Sequence, residues 1–277
     1  MGLFSNFEKP GPGINKNAPR TKGFKLFFEL YFRKIGAYIQ LNLFYITSLV
    51  PAIAIMWYII MIVLNDFAQA GNDTLIALSF LSLVISIAVC TAFGLSPFSS
   101  GFHYVLRNFS FEKHAFVFSD FIDKFRENSK NSWIMFIIDL VIVVISTLLL
   151  RFYLIMSLSN LVLIVPLVLL VLIMIVYSLM TPYKWTMLVT FNLTKKQIYK
   201  NALFFVLGDA KTTLKHFVAT SLVIALCIVL VYLIPLLGII LFVLTGASVF
   251  GLVAQLNIYK QIQDLISQSP GGHDNIK

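Results

Sequence analysis

Charged residues are scarce in this sequence. Asp, Glu, Lys and Arg make up 12% of the 277 residues, about half of the share usual in globular proteins, whereas hydrophobic residues make up 59%. A soluble fold cannot bury that much apolar surface and still present a charged exterior, which excludes an ordinary soluble domain. A lipid bilayer can solvate such a surface, so the composition predicts an all-α, polytopic integral membrane protein whose first partner is the lipid bilayer.

Cysteines are few, and catalytic motifs are absent. The two cysteines, Cys90 and Cys227, lie in apolar stretches without C-x-x-C spacing, which indicates packing residues rather than a disulfide. The sequence contains no P-loop, no G-x-S-x-G and no H-E-x-x-H, and its four histidines lack metal-ligand spacing. These absences predict a protein that is not an enzyme and has no catalytic residues, no cofactor and no metal site.

Long apolar runs are abundant, and they predict six transmembrane helices. A helix rises about 1.5 Å per residue, so about 20 apolar residues cross a hydrocarbon layer of about 30 Å. The last apolar block is too long for one span, and Pro235 and Gly238 divide it into a hairpin of two. The predicted spans lie at about 41–64, 75–96, 133–150, 161–180, 217–234 and 238–258. They form a membrane domain at 24–260, between an irregular N-terminal segment at 1–23 and a tail at 261–277.

The net charge of +9 is distributed unevenly along this topology. Of the 21 Lys and Arg residues, 20 fall on one side of a six-span chain, and Arg151 falls on the other. Basic residues collect on the cytoplasmic side of membranes, so both termini are predicted to be cytoplasmic. No basic run is interleaved with aromatic residues outside the spans, so no nucleic acid is predicted as a partner.

The cytoplasmic segments have amphipathic patterns that predict helices there. The polar stripe of 24–35 fits either an interfacial helix or a cytoplasmic extension of the first span. The pattern at 111–125 predicts two short helices that break near Ser119, and Thr194 with Gln197 has the spacing of a capping box. The three tryptophans are predicted to mark the level of the membrane interface. They are Trp57, Trp133 and Trp185.

The segment that includes Ser96-Pro97-Phe98-Ser99-Ser100-Gly101 and ends at Arg107-Asn108 resembles the YesL family of bacterial membrane proteins. A second set of positions is similar to the family's Asp-Phe…Phe…Asn pattern, and the match covers about 94–139. These positions are Asp120, Phe121, Phe125 and Asn128, before Trp133. The chain departs from the family pattern at Ser96, Phe98 and Ser99. The resemblance implies a multi-pass protein of the bacterial cell membrane with an accessory role beside carbohydrate importers of the ABC class.

The candidate structural or partner-docking residues come mainly from this segment. Arg107 and Asp120 fit either a docking surface or simpler roles, Arg107 as an anchor that faces lipid phosphate and Asp120 as a helix cap. Asp139 is the only carboxylate inside a predicted span, which makes it a functional candidate, unless it pairs with a base such as Arg107 or Lys184. The full set is Pro97, Gly101, Arg107, Asp120, Phe121, Phe125, Asn128 and Asp139.

Three functions are compatible with these features. The first is a non-catalytic accessory or scaffolding subunit that binds a membrane protein partner such as an ABC transporter subunit; the coupling loop of a standard permease is absent. The second is a small transporter or channel in its own right, for which Asp139 would be a polar group near the midplane. The third is an enzyme that acts on lipid, which would need His103, Asp120 and Asp139 to converge.

Overall fold

The computed structural model describes residues 24–65, 82–83 and 85–268, and this part of the chain is helical and contains no β-strand. The all-α prediction is therefore confirmed for the described residues. The helices are α1 (Phe24–Arg33), α2 (Ile35–Asn65), α3 (85–92), α4 (Ser99–Ser110), α5 (Val117–Ser159), α6 (Ile164–Thr190), α7 (Lys195–Gly208), α8 (Ala210–Leu233), α9 (Pro235–Leu241) and α10 (Ala247–Gln268). A 3₁₀ turn, Leu161–Leu163, precedes α6, and a π-helical turn, Phe242–Gly246, joins α9 to α10.

Among the described residues, four helical stretches are long and apolar enough to cross a membrane. They contain the predicted first, third, fourth and sixth spans. Their bounds are Ile35–Leu64, Val117–Ser159, Leu161–Thr190 and Leu236–Ile258. The predicted fifth span, 217–234, falls on α8 and the residue after it. Of the predicted second span, 75–96, residues 85–92 form α3, whereas 75–81 and 84 lie outside the described residues, as do 1–23 and 269–277. The count of six therefore stays a prediction.

The helix α5 runs without interruption for 43 residues. The predicted break near Ser119 is wrong, because the chain turns earlier, at 111–116, where Glu112 adopts a φ of 58°. The carboxylate of Asp120 accepts a hydrogen bond from the backbone N–H of Phe116 at 2.8 Å, which satisfies a free donor at the helix start. No glycine or proline follows between 117 and 159, so nothing separates the polar first part of α5 from its apolar continuation.

The capping box that the sequence predicts at the start of α7 is confirmed. The hydroxyl of Thr194 accepts a hydrogen bond from the backbone N–H of Gln197, and the side chain of Gln197 accepts one from the backbone N–H of Thr194. The segment 24–33 is a helix of its own, because α1 ends at Arg33 and α2 begins at Ile35. Arg33 forms an ion pair with Glu112 at 3.2 Å and ties this junction to the 111–116 turn.

The helix α6 is buried along only part of its length. All residues from 179 to 190 are buried, and this inner half of α6 contacts α4, α5, α7 and α10. No residue from 144 to 178 is buried, so the outer parts of α5 and α6, with the turn between them, form a hairpin whose side chains all keep part of their surface exposed. We call residues 144–178 the outer hairpin. Trp185 lies in the buried half with no exposed surface, so its prediction as an interface marker is wrong.

Candidate functional site

A buried ion pair lies where α5 meets the inner half of α6. The Nζ of Lys184 is 2.9 Å from Oδ1 and 3.0 Å from Oδ2 of Asp139, and neither side chain is exposed. Two phenols donate to the same carboxylate, the hydroxyl of Tyr177 at 2.5 Å and that of Tyr199 at 2.7 Å. The pairing of Asp139 with Lys184, one of the two that the sequence suggests, is confirmed. We call these four residues the Asp139 cluster.

The Asp139 cluster satisfies the groups that it buries. A buried carboxylate is costly unless it is paired and hydrogen-bonded, and Asp139 accepts from an ammonium group and two hydroxyls. The ammonium group of Lys184 also lies 4.3 Å from the ring centroid of Tyr177 and 5.1 Å from that of Tyr199, within the range of cation–π attraction. Burial raises the pKa of Tyr199, and the neighbouring Asp139 carboxylate raises that pKa further, so this phenol keeps the proton that it donates. The cluster therefore joins α5, α6 and α7 at one point.

Arg107 binds a different partner, the end of α6. Its guanidinium donates to the hydroxyl of Thr190 at 2.6 Å and to the carbonyl of Val189 at 3.4 Å, and it lies 4.8 Å from the ring centroid of Tyr104. The last carbonyls of a helix have no partner inside the helix, and a cation there also complements the helix dipole. Arg107 is buried, so it secures the C-terminus of α6 and does not face lipid phosphate.

A second polar chain crosses the bundle one turn away. The amide of Gln255, on α10, donates to the hydroxyl of Thr186 at 2.6 Å and lies 3.1 Å from Nδ1 of His103. Burial lowers the pKa of His103 to about 3, which fits a neutral ring whose Nδ1 accepts this hydrogen bond. The chain connects α4, α6 and α10 through groups that carry no charge.

The remaining candidates build the contact between α4 and α5. A Cβ on Gly101 would lie 2.1 Å from the carbonyl oxygen of Phe121, so only glycine permits this approach. The rings of Phe98 and Phe125 have centroids 4.0 Å apart, and buried Asn128 donates to the carbonyl of Lys124 at 3.0 Å. These residues therefore fix helix packing, while Pro97, at the bend before α4, lines an apolar groove between α2 and α5.

The departures from the family pattern at this bend form hydrogen bonds. The hydroxyl of Ser96 lies 2.8 Å from that of Ser48, on α2, and the hydroxyl of Ser99 donates to the carbonyl of Gly94 at 2.9 Å. Gly94 has a φ of +62°, a conformation that glycine adopts readily, and a Cβ there would lie 2.7 Å from Nε1 of Trp185. The bend is thus held by hydroxyls and by close backbone approach.

Sequence reasoning missed Tyr177 and Tyr199, the phenols of the Asp139 cluster, and Asn42. The side chain of Asn42 donates to the carbonyl of Val243 and accepts from the N–H of Ser248, both at 2.7 Å, which ties α2 to the π-helical turn. One signal was available: Tyr177 and Lys184 are seven positions apart, so they share a face of α6.

The residues that a lipid-directed enzyme would need do not converge. Asp120 lies at the start of α5, and Asp139 lies about 28 Å farther along the same helix. Within the described residues, no three His, Cys, Asp or Glu side chains form a group able to hold a metal ion. Asp120 and Asp139 therefore do not belong to one site.

Comparison with known proteins gives one match. A family model described as "Protein of unknown function, DUF624" matches residues 75–149, and this family includes YesL-like proteins. The matched segment contains the α3–α4 bend, Arg107 and Asp139, and it encloses the 94–139 segment on which the resemblance rests. Neither a curated protein nor a solved structure matches the chain.

Proposed function

We propose that this protein is a non-catalytic accessory or scaffolding membrane subunit that binds a partner membrane protein. The observation that supports this function is the contrast between the outer hairpin, in which no residue is buried, and the inner half of α6, in which every residue is buried. The outer hairpin offers apolar helix faces to a partner, and the inner half of α6 packs within the helix bundle to which the hairpin is attached.

The outer hairpin is mainly apolar, and Arg151 is the one charged residue in its sequence. At its tip the exposed fractions of Leu158, Leu161 and Val162 are 81%, 77% and 72%. Helices associate in a bilayer through van der Waals packing and interhelical hydrogen bonds, because lipid tails are as apolar as leucine. Two adjacent spans with free faces therefore supply packing surface for the spans of a partner.

The long apolar helices are consistent with a membrane protein, and the finer placement is part of the proposal. We place the chain in the bacterial cell membrane with six spans and both termini in the cytoplasm. The basic residues support this orientation, since 20 of the 21 fall on one side of such a chain. The amphipathic helix α1, with its stacked aromatic side chains, would lie along the inner leaflet.

The partner to test first is a carbohydrate importer of the ABC class, which is what the family resemblance implies. The protein is purified in mild detergent from its own host, and the proteins that accompany it are identified. Recovery of the chain as a lone monomer in several mild detergents would contradict the proposal.

Matched variants locate the docking surface. Leu169→Ala with Ile173→Ala alters the outer hairpin, where these side chains are 54% and 64% exposed. Leu222→Ala with Leu226→Ala makes the same kind of change on α8, where they are 66% and 60% exposed. We expect the first pair to reduce the recovered partner severalfold and the second pair to leave it unchanged; equal losses would contradict docking at the hairpin.

The alternative is a small transporter or channel. The observation in its favour is the buried Asp139–Lys184 pair between two candidate spans, because ionisable groups inside a membrane are costly and often mark a transport path. Flux through the purified protein in liposomes tests it. Uptake that is abolished by Asp139→Asn, in a variant that still folds, would favour transport over scaffolding.

A further inference from the structure

An apolar groove opens between α2 and α5, beside the bend that carries Pro97. Its volume is about 780 Å³, which lies in the range of roughly 300–1,000 Å³ that is usual for small-ligand sites. Aliphatic, aromatic and proline side chains form most of both walls, with the hydroxyls of Thr47 and Ser48 on α2. The apolar side chains include Pro51 and Ile55 on α2, and Ile122, Trp133 and Leu140 on α5. Ile55 and Trp133 are 44% and 47% exposed, so the groove is open to what surrounds the protein.

Two cations lie on α5 beside this groove. Arg126 follows Ile122 by four positions and precedes Trp133 by seven, and Lys130 precedes Trp133 by three, which places both cations beside Trp133 on one side of the helix. Both side chains are exposed. In the part of the chain that the structure describes, neither makes an ion pair or a hydrogen bond.

The acidic residues of this part of α5 are engaged elsewhere. Asp120 accepts from the backbone N–H of Phe116 at 2.8 Å, and Asp123 accepts from the hydroxyl of Ser119 at 3.1 Å. Glu127 pairs with Lys124 at 2.7 Å. Asp120 and Asp123 keep their charges but precede Trp133 by 13 and 10 positions. Arg126 and Lys130 precede Trp133 by only seven and three, so the rim beside Trp133 is cationic, and the groove below it is apolar. This combination complements an amphiphile with an anionic head and an aliphatic tail.

We propose that the groove binds an anionic glycerophospholipid of the surrounding bilayer. One acyl chain lies against Pro51, Ile55 and Leu140, and the phosphate group meets Arg126 and Lys130. A guanidinium group binds phosphate oxygens through two parallel hydrogen bonds, and an ammonium group adds a point charge. Trp133 lies beside the cations, at the level where an indole meets the headgroups. This site does not depend on the partner protein proposed above.

Tryptophan fluorescence gives a direct test, because brominated acyl chains quench an indole that they touch. The full-length protein is reconstituted in phosphatidylcholine vesicles that contain a minor fraction of phosphatidylglycerol. In one sample the phosphatidylglycerol carries brominated chains; in the other an equal fraction of phosphatidylcholine carries them. The signal of Trp133 is the difference between the wild type and Trp133→Phe. We expect stronger quenching of Trp133 by brominated phosphatidylglycerol than by brominated phosphatidylcholine.

Charge variants separate a specific site from general attraction. Arg126→Gln with Lys130→Gln removes the rim cations, and the preference for phosphatidylglycerol should fall about fivefold for each cation lost. Lys196→Gln with Lys200→Gln is the control, since it removes two exposed cations of the same spacing from α7. The control should keep the preference. Equal quenching by the two lipids, a preference that survives loss of Arg126 and Lys130, or an equal loss in the control would each overturn the proposal.

Discussion

The two halves of α6 belong to one helix and differ in almost every other respect. The outer half, 164–178, is mainly aliphatic, and none of it is buried; the inner half, 179–190, carries Lys184, Trp185 and four further polar side chains, and all of it is buried. An apolar residue in a bilayer needs no protein cover, whereas a polar residue there needs a partner. The difference shows that, along this helix, polarity predicts contact with protein better than hydrophobicity does.

The largest effect should come from the ion pair at the start of the inner half. Lys184→Met leaves Asp139 as an unpaired buried carboxylate, so we expect a loss of about 3–5 kcal/mol in the free energy of unfolding. The measurement is an SDS unfolding titration in mixed micelles. Asp139→Asn combined with Lys184→Met removes both charges, and this double variant should be more stable than Lys184→Met alone. A single variant as stable as the wild type would show that the pair does not hold the bundle.

A second prediction compares the halves directly by the same substitution on the same helix. Leu188 has 1% of its surface exposed and Leu172 has 52%. Leu188→Ala should therefore cost about 2–5 kcal/mol through lost packing and the cavity that it leaves. Leu172→Ala should change stability by less than about 0.5 kcal/mol. The same SDS titration measures both, and similar losses would mean that the outer half is covered in the folded protein.

The sequence predicts features that depend on neighbouring residues better than it predicts contacts between distant ones. Hydropathy and helix signals depend on neighbouring residues, and they predicted the all-α class, the apolar spans that the structure describes and the capping box at Thr194. The cost of a charge in a membrane predicted a base for Asp139, with Lys184 as one of two choices. Tyr177 and Tyr199 stand 38 and 60 positions from Asp139, and only the tertiary fold selects them from the 11 tyrosines.

The uninterrupted α5 was missed for a different reason. A change from polar to apolar sequence near Trp133 marks a change of surroundings, and a helix ends only where its backbone is broken or capped. The close approach of Gly101 to Phe121 could not be predicted from the sequence either, because a single glycine does not indicate which backbone packs against it. The groove depends on the spacing of α2 and α5, which no local pattern encodes.

The packing of α4 against α5 gives the third prediction. Gly101→Ala places a methyl group about where the carbonyl oxygen of Phe121 lies, so the helices must separate, at a cost of about 1–3 kcal/mol. Gly36→Ala is the control, because a Cβ at Gly36 meets nothing within 4 Å. Thermal unfolding in detergent should show a loss for the first variant only. An unchanged midpoint for Gly101→Ala would mean that α4 and α5 adjust without cost.

The uncharged chain through His103 predicts a dependence on pH. The pKa of His103 is lowered by burial to about 3, below its ordinary value near 6.5, so the unfolded state binds a proton more readily than the folded state. Stability should therefore fall as the pH drops below about 6.5, by up to about 1.4 kcal/mol per pH unit. Unfolding titrations at pH 7.5 and 5.5, compared between the wild type and His103→Gln, isolate this contribution. If the unfolding free energy of His103→Gln depends on pH as strongly as that of the wild type, other groups cause the dependence.

The smallest effect should come from the ion pair at the surface. Arg33 and Glu112 form a salt bridge at 3.2 Å, 0.3 Å longer than the buried Lys184–Asp139 pair, and their side chains are 36% and 37% exposed. Water already solvates both charges, so Arg33→Gln should cost less than about 1 kcal/mol, and added salt should reduce that cost. The salt dependence of SDS unfolding, measured for Arg33→Gln beside Lys184→Met, tests this. If Arg33→Gln lowered the free energy of unfolding as much as Lys184→Met does, burial would not be the factor that decides how much an ion pair stabilises this protein.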